Sequence, residues 1–113
     1  MDTAKELRIG PWIRRSRRTV YENQWMAVYE DQVMQPDGRE GVYGVVHFRN
    51  QAVGVVAIDS LDRVLLVGQH RYPLDQYSWE IPAGGCPWGS DTLEAARREL
   101  REETGWSAEC WRL

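Results

Sequence analysis

Three carboxylates, Glu99, Glu102 and Glu103, stand at offsets 0, 3 and 4 in the stretch Arg98-Glu99-Leu100-Arg101-Glu102-Glu103-Thr104-Gly105-Trp106. At about 3.6 residues per turn these offsets stack the side chains on one face of a helix. Like charges so close repel and cost helix stability, so a sequence serving structure alone would disperse them. A hard divalent cation reverses that balance, because anionic, oxygen-rich sites are what magnesium selects. The cluster reads as a metal site. Arg98 lies four residues from both Glu94 and Glu102, within reach to pair with either and hold a carboxylate in place.

A helix must carry these residues, and its punctuation is present. Asp91 occupies the N-cap position with Glu94 three residues on, a capping-box arrangement with Asp in the Ser/Thr role. Leu93, Ala96, Leu100 and Thr104 form the less polar stripe that would face a sheet, and Ala95, Glu99, Glu102 and Glu103 form another face. Gly105 fits the position after the last turn, where a left-handed residue ends the helix. Ahead of the helix, residues 82–90 (Pro-Ala-Gly-Gly-Cys-Pro-Trp-Gly-Ser) read as a loop. Its glycine pair lets the backbone approach a ligand, and loop carbonyls can complete a magnesium shell.

Upstream, Thr19 to Ile81 reads as strands. Met26–Val33 and Gly41–Phe48 flank the turn signal Pro36-Asp37-Gly38 and are expected to form a hairpin. Ala52–Asp59 and Val64–Gln69 are nearly continuous apolar runs, the pattern of strands covered on both faces. Trp79-Glu80-Ile81 is a short strand stopped by Pro82.

Composition bounds the rest. The 113 residues suffice for one modest domain, and 42% hydrophobic with 27% charged content belongs to a globular chain. No apolar run approaches the roughly 18 residues a bilayer requires, and the N-terminus lacks the apolar core of a secretory signal, so neither membrane nor export is expected. Two cysteines without metal-type spacing suggest reduced thiols in a cytoplasmic setting. The net charge of −3 disfavours a nucleic-acid partner, and Arg14-Arg15-Ser16-Arg17-Arg18 reads as a solvated segment leading into the first strand. Trp25, Tyr29 or Tyr72 could stack a base, without a feature to choose among them; His47 and His70 read as structural.

The residues also resemble a known family. Residues 84–106 look like the Nudix box: a glycine, five residues, a glutamate, seven residues, then Arg-Glu-apolar-x-Glu-Glu-x-Gly-apolar. Gly84 matches the first glycine, and Arg98, Glu99, Leu100, Glu102, Glu103, Gly105 and Trp106 match the second half; Ser90 occupies the place of the first glutamate. Val64–Pro73 and Trp79–Gly85 resemble the ADP-ribose and nucleotide-sugar pyrophosphatase branch. The resemblance implies an α/β (α+β) fold, a Nudix-type α/β/α sandwich with a mixed sheet. It divides the chain into an N-terminal strand meander at 1–48, through which this branch dimerises, and the first part of a Nudix hydrolase domain at 49–113.

The implied activity is magnesium- or manganese-dependent hydrolysis of a nucleoside diphosphate linked to another moiety, ADP-ribose or a related nucleotide sugar, to two phosphates. In that reading Glu99 and Glu103 ligate the metal with the Ala83 carbonyl, and Glu102 completes or bridges the cluster. Arg98 orients a glutamate, and Arg71 and Glu80 contact phosphate or the terminal sugar. The sandwich further implies strands, a second helix and a catalytic base beyond Leu113, and the alternative is a nucleotide-binding module lacking that base. Left with one helix to cover strands buried on both faces, residues 1–113 are expected to be a marginal fold.

Overall fold

Alternating polar and β-branched residues from Leu7 onward are expressed as strands in the computed structural model, which describes residues 6–113. The chain divides into two compact units, Met1–Arg49 and Asn50–Leu113. The first unit is a four-stranded antiparallel meander of β1 (Leu7–Ile9), β2 (Trp12–Glu22), β3 (Met26–Met34) and β4 (Glu40–Phe48), in that order. The β3–β4 hairpin turns at the expected Pro36-Asp37-Gly38, where Gly38 N–H donates to the Gln35 carbonyl at 2.9 Å. The Asp37 carboxylate accepts from both the Arg39 backbone and its guanidinium. At the β2–β3 corner, Asn23 Oδ1 accepts from the Trp25 and Met26 amides at 2.8 and 2.9 Å.

The basic run departs from expectation. It lies inside β2, and strands begin at Leu7 rather than Thr19. Three of its four arginines face carboxylates: Arg15 pairs with Glu6 and Glu40, Arg17 with Asp31, and Arg18 with Glu30. Cross-strand pairs of opposite charge stabilise a sheet, so a segment that reads as solvated in isolation is extended here because β3 supplies counter-charges to Arg17 and Arg18, and Glu6 and Glu40 supply them to Arg15. Arg17 grips Asp31 with both Nε (2.7 Å) and Nη2 (2.9 Å), and its guanidinium carbon also stands 4.2 Å from the Tyr29 ring centre. Asp31 is only 3% exposed, so a paired, bidentate partner is what permits a carboxylate there.

The second unit carries shorter elements. β5 (Asn50–Gly54) pairs antiparallel with β8 (Ala83–Pro87), β6 (Val67–Arg71) pairs antiparallel with β7 (Gln76–Glu80), and α1 spans Thr92–Thr104. Ala52–Asp59 is therefore strand only in its first part. Past Gly54 the chain is held by Val55 N–H to the Pro82 carbonyl (2.8 Å), Leu65 N–H to the Ala57 carbonyl (3.0 Å) and a single bridge between Ile58 and Val64. Asp59 closes the intervening turn, its Oδ1 accepting from the Leu61 and Arg63 amides, and these bonds hold its carboxyl below the ordinary carboxylate range, the Arg63 amide contributing most.

The core of this unit is Val55, Ala96 and Leu100, joined by Val53, Ala57, Leu65 and Trp111. Only one face of the apolar run is covered. Val53, Val55 and Ala57 pack on this core, while the alternating Val56 and Ile58 are exposed, at 61% and 62%. The expectation of burial on both faces fails because α1 covers one side, and among the described residues no second helix covers the other. Ala95 moves too: it is buried with Ala96 and Leu100 rather than sharing the carboxylate face, whereas Leu93 is exposed.

Candidate functional site

Helix α1 begins where the sequence indicates. The Asp91 carboxylate accepts from Leu93 N–H at 3.0 Å, and Gly105, at φ 75°, ends the helix with its N–H on the Arg101 carbonyl at 2.8 Å. A left-handed residue there costs glycine little and any other residue more. Capping at both ends fixes the rotational phase of the helix, and buried Ala96 and Leu100 fix which side meets β5 and β8.

That phase separates the three glutamates. Glu99, with its side chain 15% exposed, lies directly against Gly84 of β8: a Cβ placed on Gly84 would fall inside the Glu99 carboxylate. Glycine at 84 is therefore required by the close approach of an acid, and Gly84-Gly85 belong to a strand rather than to the expected loop. One turn on, Glu103 Oε2 accepts from the Ala83 amide at 3.2 Å. Two carboxylates thus converge on two consecutive backbone residues. Glu102 does not join them; its side chain is 62% exposed, with Oε1 3.9 Å from Arg98 Nε. Arg98 instead spans the strand and the helix, its Nη2 donating to the Gly85 carbonyl (3.2 Å) and to Glu99 Oε1 (3.3 Å).

The β6–β7 hairpin contributes a second charged pair. Arg71 Nε donates to both Glu80 oxygens at 3.0 and 2.9 Å, and Nη2 donates to Oε1 as well. These bonds hold the Glu80 carboxyl below the ordinary range, with a smaller contribution from Ser78. They also raise the Arg71 guanidinium above its usual value, to which the charges of Glu80 and Glu103 add. Arg71 therefore lies within the field of the carboxylate that touches Ala83.

Among the described residues no three His, Cys, Asp or Glu side chains already form a metal cage. Magnesium needs none: it keeps several waters and is held by one or two carboxylates together with substrate phosphates. Glu99 and Glu103 offer two such hard-oxygen donors side by side against Ala83 and Gly84, where the lack of a side chain at Gly84 admits the Glu99 carboxylate, and the residues fit a divalent cation that keeps waters of its own.

The remaining singled-out residues find ordinary places. His70 Nε2 is 3.0 Å from Asp75 Oδ1 across the hairpin turn, and the His47 ring stands 6.4 Å from that of Tyr29. Tyr29 is taken up by Arg17, Trp25 sits exposed at the β2–β3 corner, and Tyr72 is 94% exposed at the tip of the β6–β7 turn. The residue that motif reading overlooked is Gln51, whose amide reaches the segment before α1; an isolated glutamine in an apolar strand is its only trace in the sequence.

Comparison with known proteins adds the following. The NUDIX domain profile matches residues 48–113, and a nucleoside diphosphate sugar hydrolase N-terminal domain matches residues 12–46. The chain is 34% identical over 90 residues to a methanol dehydrogenase activator of Bacillus methanolicus (80% of this chain, 48% of that protein). It is 35% identical over 100 residues to an ADP-ribose pyrophosphatase of Mycobacterium tuberculosis (87% of this chain, 47% of that protein). It spans about half the length of these curated relatives. A solved structure of an ADP compounds hydrolase superposes with a TM-score of 0.71 at 23% identity, covering 97% of this chain and 56% of that one, and shares its fold.

Proposed function

From the premise that this chain belongs to the NUDIX domain family, we propose that it hydrolyses the diphosphate bond of a nucleoside diphosphate linked to another moiety, ADP-ribose or a related nucleotide sugar, releasing two phosphates. The observation that carries this reading is the convergence of Glu99 and Glu103 on Ala83-Gly84, with Arg71 in the same electrostatic field. Relatives named ADP-ribose and ADP-sugar pyrophosphatases, and the N-terminal match to nucleoside diphosphate sugar hydrolases, support the substrate class.

A magnesium or manganese ion would be held by Glu99, Glu103 and the Ala83 carbonyl, and would supply charge neutralisation at the diphosphate and activation of water. Glu102, exposed beside Arg98 and apart from the other two, would be the carboxylate left to complete the metal's ligands from the solvent side. Arg98 holds Glu99 in register with β8 by bonding the Gly85 carbonyl and the carboxylate together. Arg71, steadied by Glu80, keeps its remaining N–H groups for a phosphate or terminal-sugar oxygen. Positioning and charge do the work in such reactions, and a fixed helix phase with a fixed hairpin pair is the arrangement they require.

The meander of residues 1–48 is proposed to pair with a second copy, making the protein a homodimer, and light scattering at tens of micromolar reads this directly. A cytoplasmic setting suits two free cysteines, one of them exposed. Phosphate release from ADP-ribose, coupled to alkaline phosphatase and measured with and without magnesium, tests the activity. Metal-dependent release abolished in Glu103→Gln supports it. The competing reading, a nucleotide-binding module, is favoured by Ser90 in place of the first glutamate of the box; ADP-ribose binding without release would establish that instead.

A further inference from the structure

Helix-facing residues along β5 and the extended residue that follows it run Gln51, Val53, Val55, because alternate residues of an extended chain share a face. Val55 and Val53 pack on α1, while Gln51, opposite buried Cys86, ends the row with an amide where an apolar side chain would continue it. Its Nε2 donates to the Pro87 carbonyl at 3.2 Å and to the Ser90 carbonyl at 3.3 Å. Both neighbours are acceptors, so the NH2 end of the amide must face them. The Pro87 carbonyl receives two further bonds, from Ser90 N–H at 3.1 Å and from Ser90 Oγ at 2.6 Å. One residue later Asp91 caps the helix. The turn between β8 and α1 is thus tied at both its ends to a single side chain from β5.

We propose that Gln51 is a positioning residue, assisted by Ser90, that fixes the start of α1 relative to β8 and so sets the closeness of Glu99 and Glu103 to Gly84 and Ala83. Asp91 lies on the turn that Gln51 holds, and Glu99 lies about two turns further along a rigid helix, roughly 12 Å at 1.5 Å per residue. Glu99 meets Gly84 with no room for a methyl group, so a small rotation at the N-terminus displaces the carboxylate. Ser90 carries no charge toward a cation in this arrangement; its hydroxyl is spent on the turn. The effect on cation binding rests on the hydrolase reading above, whereas the tie itself does not.

Gln51→Glu provides the test, since it keeps the shape, removes both donors at neutral pH and regains one when protonated. Amide exchange at Ser90 and Leu93 should speed up about tenfold at neutral pH, the loss expected for one to two hydrogen bonds. Relative to wild type at the same pH, protection should recover when the carboxyl protonates, while Gln51→Leu should show no recovery. Mn2+ affinity at neutral pH should fall about tenfold in both variants, as for other groups that orient metal ligands. Unchanged exchange and unchanged Mn2+ affinity in Gln51→Glu, or acid recovery in Gln51→Leu, would overturn the proposal. Should Gln51→Glu fail to fold, Ser90→Ala removes one of the three donors to Pro87 and must shift exchange in the same direction; no shift overturns it equally. Wild type that hydrolyses no ADP-ribose sinks the hydrolase reading while leaving the exchange measurement decisive.

Discussion

In residues 6–49 the buried Asp31 is gripped at both oxygens by an arginine of the neighbouring strand, whereas in residues 50–113 Glu99 and Glu103 lie against backbone, Glu99 with a single side-chain bond from Arg98. Arg17 and Asp31 neutralise each other within a nine-pair ladder between β3 and β4 on one side and the β2 ladder on the other. Glu99 rests on Gly84, and Glu103 takes only an amide from Ala83. A carboxylate gripped at both oxygens by a cation of its own chain is committed, since a third party would have to displace that partner. One satisfied by a single N–H keeps lone pairs for a metal. The same residue type therefore serves register in the meander and chemistry beside the helix.

The largest way to break this comparison is in the meander. Arg17→Met leaves Asp31 buried without its counter-charge, and removing one partner of a buried pair costs about 3–5 kcal/mol. Arg17 is a quarter exposed, so the low end, about 3 kcal/mol, is expected, measured by urea unfolding followed by tryptophan fluorescence. Arg17→Met with Asp31→Leu should restore much of the loss. Equal loss in the single and double variants would show that shape, not charge, holds this sheet.

On the other side of the comparison, Glu103→Gln should leave folding nearly unchanged, because the amide oxygen still accepts from Ala83. Turnover of ADP-ribose should fall about 10²–10³-fold, the range for removing one charge-stabilising group from a reacting centre. The loss should appear in kcat more than in KM. If Glu103→Gln instead unfolds the protein and spares turnover, its carboxylate is structural like Asp31.

Packing sets the next level. Leu100 is 1% exposed, yet the core around it is small. Leu100→Ala should cost about 2–3 kcal/mol, the lower part of the range for such truncations, because a thin core collapses more readily around a void. Since Leu100 sets the phase of α1, Mn2+ affinity should weaken in the same variant. Preserved affinity would mean that the caps alone hold the carboxylates.

Which of these features the sequence discloses follows from how local their causes are. The helix, its Asp91 cap and its Gly105 stop depend on residues within four positions of one another, and they stand where the spacing puts them. The turn at Pro36-Asp37-Gly38 is legible for the same reason. The basic run is misread because its extended shape depends on Glu30 and Asp31, more than ten residues away. Gly84-Gly85 looks like a loop because glycine weakens strands in general; only the arrival of Glu99 from another element explains its place in β8. Val56 and Ile58 mislead because an apolar run states what could be buried, and burial requires a covering element. Offsets of 0, 3 and 4 place three glutamates on one side of a helix, but about 100° per residue still separates Glu102 from Glu103 enough for one to meet the strand and the other water.

The smallest expected effect concerns Glu80, which sits between the two behaviours: paired with a cation like Asp31, yet next to the candidate site like Glu99. Its carboxyl is held below the ordinary value of 4.5, first by the hydrogen bonds from Arg71. A depressed folded-state value means the ionised form is favoured in the folded protein, so its stabilisation is fully present above 4.5 and is lost as pH falls through the lower folded value. The difference in thermal midpoint between wild type and Glu80→Gln should therefore be flat from about pH 5 to 8 and close below the ordinary carboxylate value. The pair is half open to water, so the difference should be slight and should shrink with added salt. Turnover should separate the two roles. Glu80→Gln frees the Arg71 guanidinium from its charged anchor, and KM for ADP-ribose should rise between about pH 5 and 8, where the stability difference is slight, and the rise should close in acid as wild-type Glu80 protonates. A KM unchanged between about pH 5 and 8 would place Glu80 with Asp31, as a residue that holds the hairpin and does nothing for the substrate.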